Sequence, residues 1–170
     1  LKAQDLEIGK SLVENDLVGQ CAQMMEKAKR LGKKLLLPVD VVVADKITED
    51  AQTSVVSVDR IPADQMGLDI GPKTQRMYAN QIEGSKVVFW NGPMGVFEMK
   101  PFEAGTRAIA DAMAQSDATT VIGGGDSVAA VDKFGVQDKM TFISTGGGAS
   151  MQLVEGKELP GVTPLLSSRE

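Results

Sequence analysis

The sequence predicts an α/β fold in which helices cover both faces of a doubly wound, mostly parallel sheet, giving three layers. Three observations carry this prediction. Short apolar runs alternate with segments whose apolar residues recur every three or four positions. The runs at 35–37 and 41–43 lack the alternation of a half-exposed strand, as is typical of strands buried on both faces. Glycines follow several runs, where turns from strand to helix are expected.

The first predicted helix spans residues 17–31, with Asp16 where an N-cap is expected. Its apolar residues share one face, which we expect to be buried, with Cys21 as a small core residue. Residues 67–74 are interpreted as a turn leading into a helix. Strands are predicted at 35–37, 41–43, 54–58, 86–90, 119–122 and 140–144, and further helices at 72–82, 101–114, 126–134 and from 149, within one α/β domain.

Composition excludes several function classes. The chain has 18 Lys+Arg and 23 Asp+Glu, and the resulting charge of −5 disfavours nucleic acid or an anionic membrane as a partner. It contains no His, which removes Ser–His and Cys–His dyads and zinc sites built on His. A single cysteine rules out an internal disulfide and fits a reducing compartment. No apolar run reaches the roughly 20 residues that a membrane helix needs.

The segment 123–127, Gly-Gly-Gly-Asp-Ser, lies between a predicted strand and a predicted helix. One glycine is enough for a tight turn, whereas three in a row favour close approach of the backbone to a phosphate at the helix N-terminus. The carboxylate of Asp126 would repel phosphates unless a hard divalent cation lay between them. Asp126 is therefore a candidate Mg²⁺ ligand, direct or through water, although its residue type fits a helix cap equally well.

A second glycine triplet at 146–148 also lies between an apolar run and a predicted helix. In an open α/β sheet, ligands bind outside the carboxyl ends of the strands, so the two turns could converge on one polyphosphate. Neither triplet has the spacing of a Walker A loop. Neither has the G-x-G-x-x-G spacing of a dinucleotide site, which disfavours a nicotinamide oxidoreductase.

Two further segments are open to a structural and a binding interpretation. Residues 91–98 join a rigid turn, apolar side chains and Glu98. They could line the binding pocket of a base or sugar, but the residue types alone favour a structural loop in which Glu98 stabilises the next helix start. The glycines of 67–74 could line a flat pocket for a base, and chain reversal with capping explains them equally well.

Taken together, the segments 35–40, 67–74, 90–98, 123–127 and 146–150 resemble the phosphoglycerate kinase family, in which these motifs occur in the same order. The resemblance covers essentially all 170 residues. It implies the later part of the C-terminal, nucleotide-binding domain of a bacterial-type member, with a Rossmann-like sheet that is incomplete at its N-terminal side.

The resemblance implies a cytoplasmic, monomeric glycolytic kinase. Members of the family transfer a phosphoryl group between 1,3-bisphosphoglycerate and ADP, giving 3-phosphoglycerate and ATP, with Mg²⁺ as cofactor. The residues implied to meet the adenine and its pocket are Gly67, Leu68, Pro93 and Val96, with Glu98 on the ribose. Those implied to lie at the phosphates are Asn91, Gly124, Gly125, Asp126 and Ser127, with Asp126 on Mg²⁺ and Gly147 and Gly148 as catalytic residues that stabilise the transferring group.

Some parts of the family pattern do not occur in these residues. They are the N-terminal domain, with the arginines and His that bind phosphoglycerate, and a Gly-Ala-Lys motif. We therefore expect this chain to be inactive alone, to have an unpaired sheet edge, and to leave the tail at 160–166 without its usual packing. The alternative from a different class is a nucleotide-binding module without catalysis.

Overall fold

In a computed structural model of the chain, which describes residues 1–159 and 161–162, the strands form two three-stranded sheets. The first sheet has the order β2-β1-β3 and is antiparallel, and the second has the order β4-β5-β6 and is parallel. The predicted α/β class is confirmed. The strands are β1 (Asp40–Ala44), β2 (Ser54–Ser57), β3 (Met66–Ile70), β4 (Val87–Asn91), β5 (Thr119–Gly123) and β6 (Phe142–Ser144).

The α-helices of the described residues lie close to the predicted positions. They are α1 (Val18–Arg30), α2 (Pro72–Glu83), α3 (Ala104–Gln115), α4 (Gly125–Lys133) and α5 (Gly147–Val154). Short 3₁₀ turns occur at Lys2–Gln4, Asn15–Leu17, Lys100–Phe102 and Gln137–Lys139. No helix within the described ranges has both the length and the apolar character needed to cross a membrane.

The chain divides into two compact units, although the sequence predicts one domain. The first comprises Leu1–Gln81 and Met94–Ile109, and contains the antiparallel sheet. The second comprises Ile82–Pro93 and the described residues from Ala110 on, and contains the parallel sheet. Residues 160 and 163–166 of the apolar tail lie outside the described residues.

Strand β1 is the centre of the first unit, and all five of its residues are buried. Val42 packs with Leu68 and Phe102 in one cluster, whereas Val41 and Val43 pack in another. The prediction of burial for 41–43 is confirmed. The predicted parallel pairing is wrong for this strand, because a continuous apolar run reports burial on both faces and not strand direction.

Three other expectations are corrected in the first unit. Residues 35–37 form no strand, and Leu35 and Leu36 are exposed although the sequence predicts burial. Residues 66–70 form β3, and not the beginning of the turn that the sequence predicts for 67–74, because their backbone pairs with β1. Helix α1 forms as predicted, but its apolar face is exposed: Met24 is 55% exposed and Cys21 is on the surface. Periodicity identifies a helix without specifying what covers it.

Candidate functional site

In the second unit, the carboxyl ends of the three parallel strands lie at one edge of the sheet. Asn91 pairs with Gly123, and Gly123 pairs with Ser144. The backbone N–H of Gly124 donates to the carbonyl of Ser144 at 3.1 Å, which extends the pairing by one residue into the turn. The three loops that follow these strands therefore start side by side.

The two glycine turns lie directly against each other. A Cβ on Gly147 would fall 2.7 Å from Cα of Gly124. Gly124 has φ 89° and ψ 147°, a backbone conformation that is essentially restricted to glycine. Helices α4 and α5 begin at Gly125 and Gly147, so two helix N-termini are neighbours, as the sequence predicts. Such an arrangement favours an anion, because both sets of first-turn N–H groups carry partial positive charge.

The side chain of Asn91 lies at the junction of these turns. A Cβ on Gly124 would be 3.3 Å from its Oδ1, and a Cβ on Gly147 would be 3.6 Å from its Nδ2. The carboxamide offers one acceptor and two donors beside backbone groups that are predominantly donors. Its position at the end of β4 thus places it where a ligand of both turns would pass.

Ser127 is fully buried, and its Oγ accepts a 2.7 Å hydrogen bond from the N–H of Gly92. The carbonyl of Gly92 in turn accepts from Nε1 of Trp90 at 2.7 Å. Ser127 therefore fixes the loop that carries Asn91 and the half-buried Pro93.

Asp126 is exposed in the first turn of α4, where a carboxylate is stabilised by the helix dipole. Among the described residues, no three His, Cys, Asp or Glu side chains gather closely enough to hold a metal ion. A cation at Asp126 would consequently take its other ligands from water and from a bound phosphate. Mg²⁺ is commonly held in this way, so the donor set fits it.

The remaining sequence-predicted residues belong to the first unit, where Leu68 and Val96 meet. The N–H of Val96 donates to the carbonyl of Leu68 at 3.0 Å, and both side chains join the cluster around Phe102. Glu98, two residues after Val96, is exposed. Gly67 and Leu68 sit on β3 and not in a turn.

Two polar residues that the sequence analysis missed support this part of the first unit. Asp69 is 4% exposed and accepts hydrogen bonds from the N–H groups of Gly105 (2.6 Å) and Ile70 (2.8 Å). Burial raises the pKa of Asp69 to about 6, although both hydrogen bonds act to lower it. Thr106 is fully buried. The sequence does contain one signal for Asp69, its position between Leu68 and Ile70. An aspartate that is buried with apolar neighbours is costly unless its carboxylate has hydrogen-bond partners.

Comparison with known proteins places the chain in a family. Residues 1–157 match the family model described as "Phosphoglycerate kinase". A phosphoglycerate kinase from Synechococcus sp. (strain JA-2-3B'a(2-13)) is 57% identical over 167 residues, covering 96% of this chain and 40% of the relative. One from Clostridium novyi (strain NT) is 59% identical over 167 residues, covering 97% and 42%. The chain thus spans about 40% of the length of the curated relatives that it matches.

Solved structures agree. The structure of phosphoglycerate kinase from Coxiella burnetii matches with a TM-score of 0.92 and 45% identity, over 96% of this chain and 42% of the other. The enzyme from Pyrococcus horikoshii OT3 matches with a TM-score of 0.82 and 29% identity, over 97% and 42%. Sequence and fold lead to the same conclusion: this chain belongs to the phosphoglycerate kinase family.

Proposed function

We propose that this chain is the ATP/ADP-binding part of a glycolytic kinase and corresponds to the later part of its C-terminal, nucleotide-binding domain. The reaction would move a phosphoryl group between 1,3-bisphosphoglycerate and ADP, giving 3-phosphoglycerate and ATP. The single observation that carries the proposal is the contact of the Gly124 and Gly147 turns, where two helices begin.

The paired turns suit a polyphosphate because phosphoryl transfer requires positioning and charge stabilisation more than covalent chemistry. Backbone N–H groups at the starts of α4 and α5 are fixed by the fold and need no reorganisation when charge develops. In this proposal, Gly147 and Gly148 stabilise the transferring group, and Asn91 lies beside the phosphates. The residues that hold the phosphates are Gly124, Gly125, Asp126 and Ser127.

The adenosine end would be met by apolar and carboxylate groups. Leu68 and Val96 offer an apolar surface, and Glu98 is an exposed carboxylate that can accept hydrogen bonds from ribose hydroxyls. Gly67 and Pro93 complete the set, since neither carries a polar side chain that would need a partner. The support is the direct backbone hydrogen bond between Leu68 and Val96.

Asp126 would hold Mg²⁺ through its carboxylate, directly or through water. When bound, Mg²⁺ neutralises charge on the phosphates. Asp126 lies in the first turn of α4, where the positive end of the helix suits a carboxylate.

In the relatives, the phosphoglycerate substrate would be held by residues outside the part that these 170 residues match. We therefore propose that the chain binds nucleotide but does not complete a turnover alone. We also propose that it works as a monomer in the cytoplasm, without nucleic acid or a membrane as partner.

Calorimetric titration with Mg·ADP tests the site. We expect binding by the wild type and a loss of about tenfold in affinity in Asp126→Ala, because a charged ligand to the metal is removed. Asp117→Ala is the matched control, since Asp117 is also exposed but precedes β5 at the opposite end of the strand. Absence of Mg·ADP binding by the wild type would reject the nucleotide site.

An activity assay separates the kinase from a non-catalytic binding module. ATP formation from 1,3-bisphosphoglycerate and ADP is measured with this chain alone and with the remaining part of a relative added. The kinase proposal expects ATP only in the mixture, and less of it in the mixture made with Asp126→Ala. Nucleotide binding without ATP formation in the mixture would favour the binding module.

A further inference from the structure

Asp69 is a buried carboxylate to which the proposed mechanism assigns no task, yet it follows Leu68 directly in β3. Its Oδ2 accepts a 2.6 Å hydrogen bond from the N–H of Gly105, which lies in the first turn of α3. A carboxylate in this position fixes the start of a helix, because first-turn N–H groups have no partner within the helix.

The segment 94–98 closes over the same carboxylate. A Cβ on Gly95 would lie 2.5 Å from Oδ1 of Asp69 and 2.6 Å from the carbonyl oxygen of Leu68. A Cβ on Gly105 would also clash with the carboxylate. Glycine is therefore required on both sides of Asp69, and the carboxylate sets how closely segment 94–98 approaches β3.

Thr106 connects the helix start to this segment. Its buried Oγ1 accepts hydrogen bonds from the N–H of Met94 at 3.1 Å and from that of Gly95 at 3.3 Å. The next N–H, of Val96, donates to the carbonyl of Leu68 at 3.0 Å. Three successive N–H groups of the segment therefore donate to two groups near Asp69. One is the carbonyl of Leu68, which precedes Asp69, and the other is the hydroxyl of Thr106, which follows Gly105.

We propose that Asp69 is a positioning residue for the adenosine end of the nucleotide, acting by fixing segment 94–98, which carries Val96 and Glu98. This inference rests on the proposed function. Asp69 contacts the segment and the start of α3, and the nucleotide would touch Val96 and Glu98. Loss of the carboxylate should weaken recognition of adenosine and leave recognition of phosphate unchanged.

Asn is the informative replacement. Burial raises the pKa of Asp69 to about 6, so the group is ionised at neutral pH and both oxygens accept hydrogen bonds. Asparagine has nearly the same shape but only one acceptor oxygen, so its NH₂ must face the N–H of either Gly105 or Ile70. The matched control is Asp40→Asn, because Asp40 is also 4% exposed and accepts from first-turn N–H groups of another helix, α2, at Lys73 and Thr74.

The test compares binding of Mg·ADP with binding of Mg·pyrophosphate, a probe that lacks adenosine. We expect Asp69→Asn to weaken ADP about tenfold and to leave pyrophosphate within about twofold of the wild type, with both ligands unaffected in Asp40→Asn. Equal weakening of both ligands, or the same result for both variants, would show a merely structural role and overturn the inference. Should Asp69→Asn not fold, Thr106→Val is expected to give the same pattern and Thr106→Ser to restore binding.

Amide hydrogen exchange distinguishes failure of this inference from failure of the proposed function. In Asp69→Asn, exchange at Met94, Gly95 and Val96 should be about tenfold faster than in the wild type and in Asp40→Asn. If exchange is faster in Asp69→Asn but the wild type binds neither Mg·ADP nor Mg·pyrophosphate, the proposed function is rejected and the structural role of Asp69 stands. Unchanged exchange rejects the role of Asp69, whatever the titrations give.

Discussion

Oδ1 of Asp40 accepts two hydrogen bonds from Thr74, one from its backbone N–H at 2.8 Å and one from its hydroxyl at 2.7 Å. The hydroxyl oxygen also accepts from the N–H groups of Val39 (3.0 Å) and Asp40 (3.2 Å). Thr74 is fully buried, so these bonds join the start of β1 to the start of α2 without help from solvent. Burial opposes ionisation of Asp40, but the bonds from Thr74 and Lys73 outweigh it and lower its pKa.

Replacement of Thr74 by Val should therefore be strongly destabilising. The variant keeps the side-chain volume but leaves the buried N–H of Asp40 and the part-buried N–H of Val39 without this acceptor, which costs about 2–3 kcal/mol of the free energy of unfolding. Urea denaturation at neutral pH measures the loss. Thr74→Ser keeps the hydroxyl and should cost about 1 kcal/mol, mainly from the missing methyl. Equal losses in the two variants would mean that packing, and not hydrogen bonding, holds this junction.

Gly147→Ala should disrupt the contact between the glycine turns. The added methyl would overlap Cα of Gly124 and force the turns apart, at a cost of about 1–3 kcal/mol in stability. Because the turns would lose their joint geometry, we expect affinity for Mg·pyrophosphate to fall at least about tenfold in a calorimetric titration. Gly19→Ala is the control: a Cβ there meets nothing within 4 Å, and alanine has a higher helix propensity than glycine. Unchanged pyrophosphate binding in Gly147→Ala would contradict a shared site.

Much of the second unit could be predicted from the sequence, because its signals are local. The β-branched run at 119–122 and the glycines that follow it indicate a strand and a turn into α4. In the first unit, the secondary structure depends on pairing between strands that are distant in sequence, which local patterns do not reveal. Residues 66–70 contain Gly67 and Asp69, which disfavour a strand by composition, but pairing with β1 makes them one.

The site shows the same division. The glycine turns at 123–125 and 146–148 are contiguous in sequence and could be recognised as a candidate anion site. The roles of Asp69 and Thr106 arise from hydrogen bonds to residues far away along the chain, such as the one between Asp69 and Gly105, 36 positions apart. Sequence can suggest that a buried acid needs partners, but only the fold identifies them.

Asp69 should give the protein a distinctive dependence of stability on pH. Its pKa in the folded state, about 6, lies above the ordinary value of 3.8 for an aspartate, so the native state holds this proton more tightly than the unfolded state. Stability from this group is therefore present at low pH and is lost as the pH rises toward about 6. Relative to Asp69→Asn, which cannot titrate, the wild type should lose about 2–2.5 kcal/mol between pH 4 and 7. Urea denaturation at several pH values measures this difference, and a difference that grows in favour of the wild type would contradict the assignment.

Exposure of α1 predicts a contrast between two large apolar residues. Met24 lies on the apolar face of α1 but is 55% exposed, whereas Phe102 is fully buried in the cluster with Val42 and Leu68. Met24→Ala should change the free energy of unfolding by less than about 1 kcal/mol, because little buried surface is lost and alanine favours a helix. Phe102→Ala should cost about 3–5 kcal/mol, because it leaves a cavity.

Thermal or urea denaturation of the two variants beside the wild type measures both effects. A loss at Met24 as large as that at Phe102 would mean that the face of α1 is covered in solution, which contradicts its exposure in this structure. A small loss at both positions would instead contradict the cluster around Phe102. The expected result, a small loss at Met24 with a large one at Phe102, is obtained only if the antiparallel sheet, and not α1, supplies the core of the first unit.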